Sequence, residues 1–291
     1  MRSRSETIRL VEEQAYRLRR RVLEIGLEAG PHGAHFGSAY SMAEAISAVF
    51  FGVLRSDPAH PDDPGRDRFI LSKGHGAIAY YITLAEAGFL PEGLLHTFET
   101  KDSLLPGHPC MHRDMGLEYS TGSLGHGLSL GVGVALHAKR TGRDYQTYVL
   151  VGDGECNEGS VWEAAMAARQ FGLDNLTVIV DRNRLQSDGL CRKVMDMDDM
   201  AAKWRAFGWE ATDVDGHDAG ALLDSLHERS RPTGKPRAVI AHTVKGKGVS
   251  FFENNNDWHH RSITPEQSAA ATGEPQHAPG QPRACSWYTP V

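Results

Sequence analysis

The sequence predicts a doubly wound α/β fold, a mostly parallel sheet flanked by helices. Three observations carry that prediction. The runs 147–154, 176–183 and 237–244 are apolar almost throughout and rich in Val and Ile, as strands buried on both faces of a parallel sheet are. Helical stretches separate them, which is what a βαβ series needs. Glycine-dense turns follow the strands, at the ends where parallel sheets bind ligands.

From the N-terminus, Ile8, Val11, Ala15, Leu18, Val22 and Ile25 recur at steps of three and four, laying one apolar stripe along a helix with a basic outer face. The glycine-rich stretch 30–37 ends it. Ser41 followed by Glu44 reads as a capping box opening a second helix that carries Ile46, Val49, Phe50 and Val53. A loop bearing Pro58, Pro61 and Pro64 follows. Residues 68–76 read as a short buried strand ending in a turn, 77–87 as a helix, and Gly88 as its cap. Residues 120–140 are glycine-dense, and their second half is a small-residue helix that another backbone can approach closely. Crossover helices are expected over 162–171, 200–207 and 219–227. The stretch 263–291, with its Pro, Gln, Ala and Gly, shows no periodicity. It reads as a flexible or partner-bound tail to one domain over 1–262.

Composition narrows the function classes. The chain has 291 residues, 40% hydrophobic and 23% charged, which is globular rather than disordered. The formal net charge of -6, with Lys and Arg scattered, leaves no basic field for nucleic acid or a membrane surface. The N-terminus lacks the apolar core of a secretory signal, and no window approaches the ~20 apolar residues of a bilayer span, so a cytoplasmic location is expected. Cys110, Cys156, Cys191 and Cys285 lie far apart with no CxxC pair, which indicates neither a disulfide framework nor a zinc knot.

The sharpest local feature is GDGECNEGSVWEA over 152–164, at the carboxyl end of a buried strand and leading into a helix. Its glycines let backbone reach a diphosphate, the helix start offers unpaired N–H groups, and Asp153 is an anionic oxygen donor for a divalent ion. Taken alone, Asp153 reads equally as an Asx-type turn after a strand. Asn183 changes that balance, because it ends the next buried run and adjacent parallel strands bring their carboxyl ends together. The two then describe a magnesium site that holds phosphate. Histidine is the other theme, 15 in all, several beside glycine in loops. Imidazole suits proton movement near neutral pH. Zinc is the other use of clustered histidine, but HExxH and CxxC spacings are absent. A dinucleotide-binding oxidoreductase is disfavoured, since no GxGxxG follows a strand with an acidic residue about 20 positions on.

The ordered motifs HFGS at His35, DRFILSKGHG with His75, PGHP with His108, STGSLGHG, GDGECNEG, DRNRLQSDG and VKGKGVSFFENNNDWHH give the chain, from about Glu6 to His260, a specific likeness. It resembles the N-terminal half of a transketolase, the diphosphate-binding domain of the thiamine diphosphate-binding fold. The resemblance implies that Asp153, Asn183 and the carbonyl of Leu185 coordinate magnesium, that Gly154 contributes a backbone donor, and that His75 and His259 contact the diphosphate. It places Gly122 and Leu124 against the aminopyrimidine ring. His35, His108 and His259 become substrate-facing histidines, with His75 beside them. It sets Glu158 in a buried acidic patch that links paired active sites across a subunit interface. Lys245 either balances phosphate charge or is solvated. His32, His60, His96, His137, His217 and His227 gain no role. Three departures stand where the family's cofactor and substrate mouth is expected: His126 for Gln, His260 for Gly, and Phe36 for Pro or Ile.

Transketolases carry the glutamate that serves the pyrimidine on a second domain, for which this chain has no counterpart. The resemblance therefore implies one subunit of a split, magnesium-dependent transketolase, in an α2β2 heterotetramer with a separately encoded C-terminal subunit. Its substrates would be sugars or sugar phosphates, and it would transfer a two-carbon ketol unit from a ketose to an aldehyde. The alternatives are one chain of another two-chain thiamine diphosphate enzyme, such as a 2-oxo acid decarboxylating synthase, or a non-catalytic cofactor-binding or regulatory subunit.

Overall fold

A computed structural model describes residues 2–227 and 233–274. In chain order the elements are α1 (Arg4–Glu28), α2 (Phe36–Ser41), α3 (Ala43–Ala48), β1 (Arg68–Leu71), α4 (Ala77–Glu86), α5 (His126–Arg140), β2 (Thr147–Gly152), α6 (Gly159–Gln170), β3 (Leu176–Arg182), β4 (Leu185–Gln186), β5 (Gly189–Leu190), α7 (Cys191–Val194), α8 (Met200–Ala206), β6 (Glu210–Asp215), α9 (Ala219–Leu226), β7 (Arg237–His242) and α10 (Pro265–Gly273). Five parallel strands form the main sheet in the order β1-β2-β3-β7-β6, and β4 and β5 make a short antiparallel hairpin.

The side-chain alternation of the strands divides the interior in two. Phe69, Leu71, Tyr148, Leu150, Ile179, Val239 and Ala241 join α1, α3, α4 and α9 in one core. Ile70, Val149, Val151, Val178, Val180, Ala238 and Ile240 join α5, α6 and α8 in the other. A strand that feeds both cores carries no polar face, which is why its sequence is apolar almost throughout. Full burial of each such side chain contributes about 1.5–3 kcal/mol.

Three local features differ from the sequence reading. The capping box at Ser41 does not form: Ser41 ends α2, and the chain restarts as α3 after Met42. Its hydroxyl donates to Asp181 at 2.6 Å, while Glu44 pairs with Arg19. Buried tertiary partners outweigh a local cap. Strand β6 carries no apolar run because it is an edge strand, with Thr212 and Asp213 exposed. The stretch beyond Ile263, expected to lack structure, begins with α10. There Thr264 and Gln267 form a capping box, and Ile263 and Ala271 are buried. Residues 275–291, with Cys285, lie outside the described residues. Among the described residues no helix is long and apolar enough to cross a membrane.

Candidate functional site

The carboxyl ends of β1, β2, β3 and β7 deliver polar residues to one place. Chain leaving β1 supplies Ser72, Lys73 and His75; β2 leads to Asp153, β3 ends at Asp181 and Asn183, and β7 leads to Thr243 and Lys245. Gly152 sits in register with Asp181, and Arg182 with His242. Asp181 ties these ends together. It is fully buried and pairs with the Lys73 ammonium, takes hydroxyl hydrogen bonds from Ser41 (2.6 Å) and Thr243, and accepts from Asn183 Nδ2 at 3.1 Å. Burial alone would raise its carboxyl; Lys73 and the two hydroxyls outweigh that and hold it below the usual carboxylate range.

Asp153 and Asn183 do converge, through the backbone between them. Asp153 Oδ2 accepts from the Arg184 N–H at 2.6 Å and Oδ1 from Gly154 at 2.9 Å, while Asn183 Oδ1 accepts from Leu185 N–H at 3.0 Å. The Asp153 carboxylate thus binds the turn that follows β2 and lies beside the Asn183 segment. The Gly154 N–H, expected as a phosphate donor, is given to Asp153 here. Burial and the nearby Asp181 push the Asp153 carboxyl up to about 6, against the opposing pull of the Arg184 and Gly154 N–H groups, so its ionised form is only partly compensated. A carboxylate, an amide oxygen and a peptide carbonyl at Leu185 are hard oxygen donors that suit a cation of the magnesium class.

Two features had little signal in the sequence. Glu155, not Glu158, is the buried carboxylate of the GDG segment. It accepts from Ser72 Oγ, from Gly125 N–H at 2.9 Å and from Gly152 N–H at 3.0 Å, joining the turns after β1 and before α5 to the end of β2. Glu158 is exposed in this single chain, beside Gly125. A glutamate one residue into a turn looks no different in sequence from a solvated one. Cys191 is the second: its thiol lies against Asp153, and burial together with that carboxylate pushes it up to about 12.

Two glycine turns meet in a cradle. A Cβ on Gly74 would lie 2.6 Å from Gly122 N and 2.7 Å from the Thr121 carbonyl carbon, and one on Gly122 would lie 2.8 Å from His108 Cδ2. The loop that contains Gly122 and Leu124 is therefore held against the histidines by close backbone approach.

The histidines gather above this floor. His35 has ring centroids 5.4 Å from His75, 5.6 Å from His108, 5.5 Å from His259 and 4.4 Å from His260; His75 and His259 are 5.4 Å apart. Burial, then neighbouring imidazoles, drives His35 down to about 2. Burial and Lys73 hold His75 well below its ordinary value, and burial and Lys245 bring His259 to about 4. These three rings stay neutral at physiological pH, each with one N–H donor and one acceptor nitrogen. Lys245 is buried rather than solvated, with Nζ 2.7 Å from His259 Nδ1; burial and Lys73 lower it to about 8. Its ammonium donates to Nδ1, which leaves the proton of His259 on Nε2.

Behind the cluster, Phe36 is buried against Phe252 and Trp258. It faces the core, not the mouth where it was expected, because the adjacent His35 takes the open side. His126 begins α5 and is exposed. His32, His60, His137 and His227 are exposed and His96 pairs with Glu28 at the surface, all outside the cluster. His217 is structural: Nδ1 meets Glu44 at 2.9 Å, and Nε2 accepts the Val244 N–H at 2.9 Å.

The family model described as transketolase, thiamine diphosphate binding domain, matches residues 14–277. The chain is 45% identical to one of the named subunits of the apulose-4-phosphate transketolase of Actinobacillus succinogenes, over 86% of this chain and 90% of that one. It is 38% identical to the 6-deoxy-6-sulfo-D-fructose transketolase subunit SqwG of a Clostridium species, over 91% and 95%. Among solved structures it is similar to transketolase from Leishmania mexicana, with a TM-score of 0.82 and 30% identity, covering 90% of this chain and 40% of that one. The chain thus spans about two fifths of that longer protein.

Proposed function

Because the chain belongs to the transketolase family, as its thiamine diphosphate binding domain, we propose that it is the diphosphate-binding subunit of a two-chain transketolase. The enzyme moves a two-carbon ketol unit from a ketose or ketose phosphate to an aldehyde, and a separately encoded chain supplies the rest of each active site in an α2β2 assembly. One finding supports the split: relatives that this chain covers almost end to end are named as subunits. The observation that carries the reaction is the histidine cluster, with His35, His75 and His259 neutral, beside an oxygen-donor floor.

Asp153, Asn183 and the Leu185 carbonyl would hold magnesium, and the cation would answer the buried charge of Asp153. Lys245 and His75 border the same floor and would face the phosphates, and Gly122 and Leu124 the pyrimidine. Thiamine diphosphate, when bound, supplies the electron sink that breaking a bond beside a carbonyl requires. The chain's own residues position the sugar and move its protons. A ketose presents hydroxyl and carbonyl oxygens, and a neutral imidazole can donate to one and accept from another. His35, His108 and His259 would bind those oxygens and exchange protons with them, with His75 beside them. A 2-oxo acid presents a carboxylate, which cationic groups recognise better than neutral rings do. That disfavours the decarboxylating synthase, and a proton-handling cluster has no use in a purely regulatory subunit.

The test is reconstitution. Mixed with the partner chain, thiamine diphosphate and magnesium, the protein is expected to transfer ketol units from ketoses and to leave untouched 2-oxo acids that lack a hydroxyl beside the carbonyl, such as pyruvate. Ketol transfer by the purified chain alone, or turnover of pyruvate in its place, contradicts the proposal.

A further inference from the structure

His260 belongs to the histidine cluster although it stands where transketolases have glycine, so the resemblance gives it no role. The backbone puts it there. Ala34 and Arg261 form an isolated antiparallel bridge, with Ala34 N–H donating to the Arg261 carbonyl at 3.1 Å and Arg261 N–H to the Ala34 carbonyl at 3.3 Å. Gly33, at φ +69°, permits the approach, since a Cβ there would lie 2.5 Å from the Arg261 carbonyl carbon. The next residue along one strand and the preceding residue along the other are His35 and His260, whose rings come to 4.4 Å, nearer than any other pair in the cluster. The Arg261 guanidinium, 5.1 Å above the buried Trp258 ring, anchors the other side of the bridge.

Position and free valence give this ring a task. His35, His75 and His259 are partly buried and lie toward Lys73 and Lys245, whereas His260, like His108, is exposed, and its ring lies against that of His35. His259 gives its Nδ1 to Lys245, and His217 uses both ring nitrogens; among the described residues the ring of His260, like those of His35, His75 and His108, has no hydrogen bond. We infer that His260 is a specificity-determining residue, whose imidazole pairs with an oxygen substituent carried by the sugar beyond the carbons that react. This rests on the ketol-transfer reading. The reacting end of a sugar chain lies among the inner histidines, so its more distant oxygens reach the outer one. That oxygen belongs either to a hydroxyl or to a phosphate.

The experiment compares kcat/KM for glycolaldehyde, D-erythrose and D-erythrose 4-phosphate as acceptors in the reconstituted two-chain enzyme, for the wild type, His260→Ala and His260→Asn. Loss of one hydrogen bond is expected to lower kcat/KM of His260→Ala for the longer acceptors about three- to tenfold relative to glycolaldehyde. His260→Asn, which keeps a side-chain N–H donor, is expected to recover part of the loss. A fall for both erythrose compounds identifies a hydroxyl, and one confined to the phosphate ester identifies the phosphate. An equal change for all three acceptors, glycolaldehyde included, overturns the inference, because it is what mere support of His35 would produce. If His260→Ala unfolds at a lower temperature than the wild type, the acceptor ratio of His260→Asn decides instead. A wild-type pair that transfers to none of the three overturns the ketol-transfer reading, and this inference with it.

Discussion

Asp153 shows how one side chain serves fold and site together. Two backbone N–H groups satisfy its oxygens, yet burial raises its carboxyl to about 6, so the charged form is only partly compensated. A cation provides that compensation better than a local turn does. Asp153→Ala is therefore expected to abolish magnesium-dependent retention of thiamine diphosphate in the two-chain complex, measured by equilibrium dialysis. His96→Ala removes only an exposed pair with Glu28 and is expected to leave retention within about twofold, since exposed pairs contribute about 0–1 kcal/mol. Equal loss in the two variants would move the cofactor floor away from Asp153. Glu155 carries the complementary lesson. The carboxylate that binds the neighbouring turns together stands three positions from the one that the motif singled out.

Among the elements, the turn after β1 and the turn before α5 matter most, because the cradle exists only where they touch. Gly74 has an ordinary backbone conformation, so its requirement is space: a methyl group would press on Gly122 N and the Thr121 carbonyl carbon, backbone atoms that cannot step aside. Gly74→Ala is expected to destabilise the chain by about 1–3 kcal/mol, read as a lower unfolding temperature, and to weaken cofactor retention in the complex at least tenfold. Gly93→Ala meets nothing within 4 Å and serves as the comparison, with an expected change below about 0.5 kcal/mol. Similar behaviour of the two variants would show that the turns are free to separate.

At the scale of the molecule, a buried charge network connects the helical layer to the site. Arg19 on α1 holds both oxygens of Glu44 on α3 at 2.7 Å, Glu44 meets His217 beyond β6, and His217 accepts the Val244 N–H next to Lys245. Burial opposes ionisation of Glu44, but Arg19 and His217 outweigh it and hold the carboxyl far below its ordinary 4.5. A depressed carboxyl adds stability that is fully present above the unfolded-state value and is lost as pH falls through the folded-state value. Thermal unfolding from pH 6 to 3 is expected to show that acid-side loss in the wild type and a much flatter one in Glu44→Gln. The variant should also be about 3 kcal/mol less stable at pH 7, with Arg19 left buried and unpaired. Parallel pH profiles would mean that the network contributes nothing. The sequence by itself determined the strands that face two cores, the glycine turns at their ends and the motif histidines. Burial on both faces, turn geometry and chemistry each impose a residue type that can be read in one dimension. Only the tertiary structure decided that Ser41 and Glu44 serve buried partners instead of a cap, that Phe36 turns to the core, that α10 folds beyond Ile263, and that Glu155 and His260 join the site. In each of these the outcome depends on which distant groups share a buried volume, and local spacing holds no record of that.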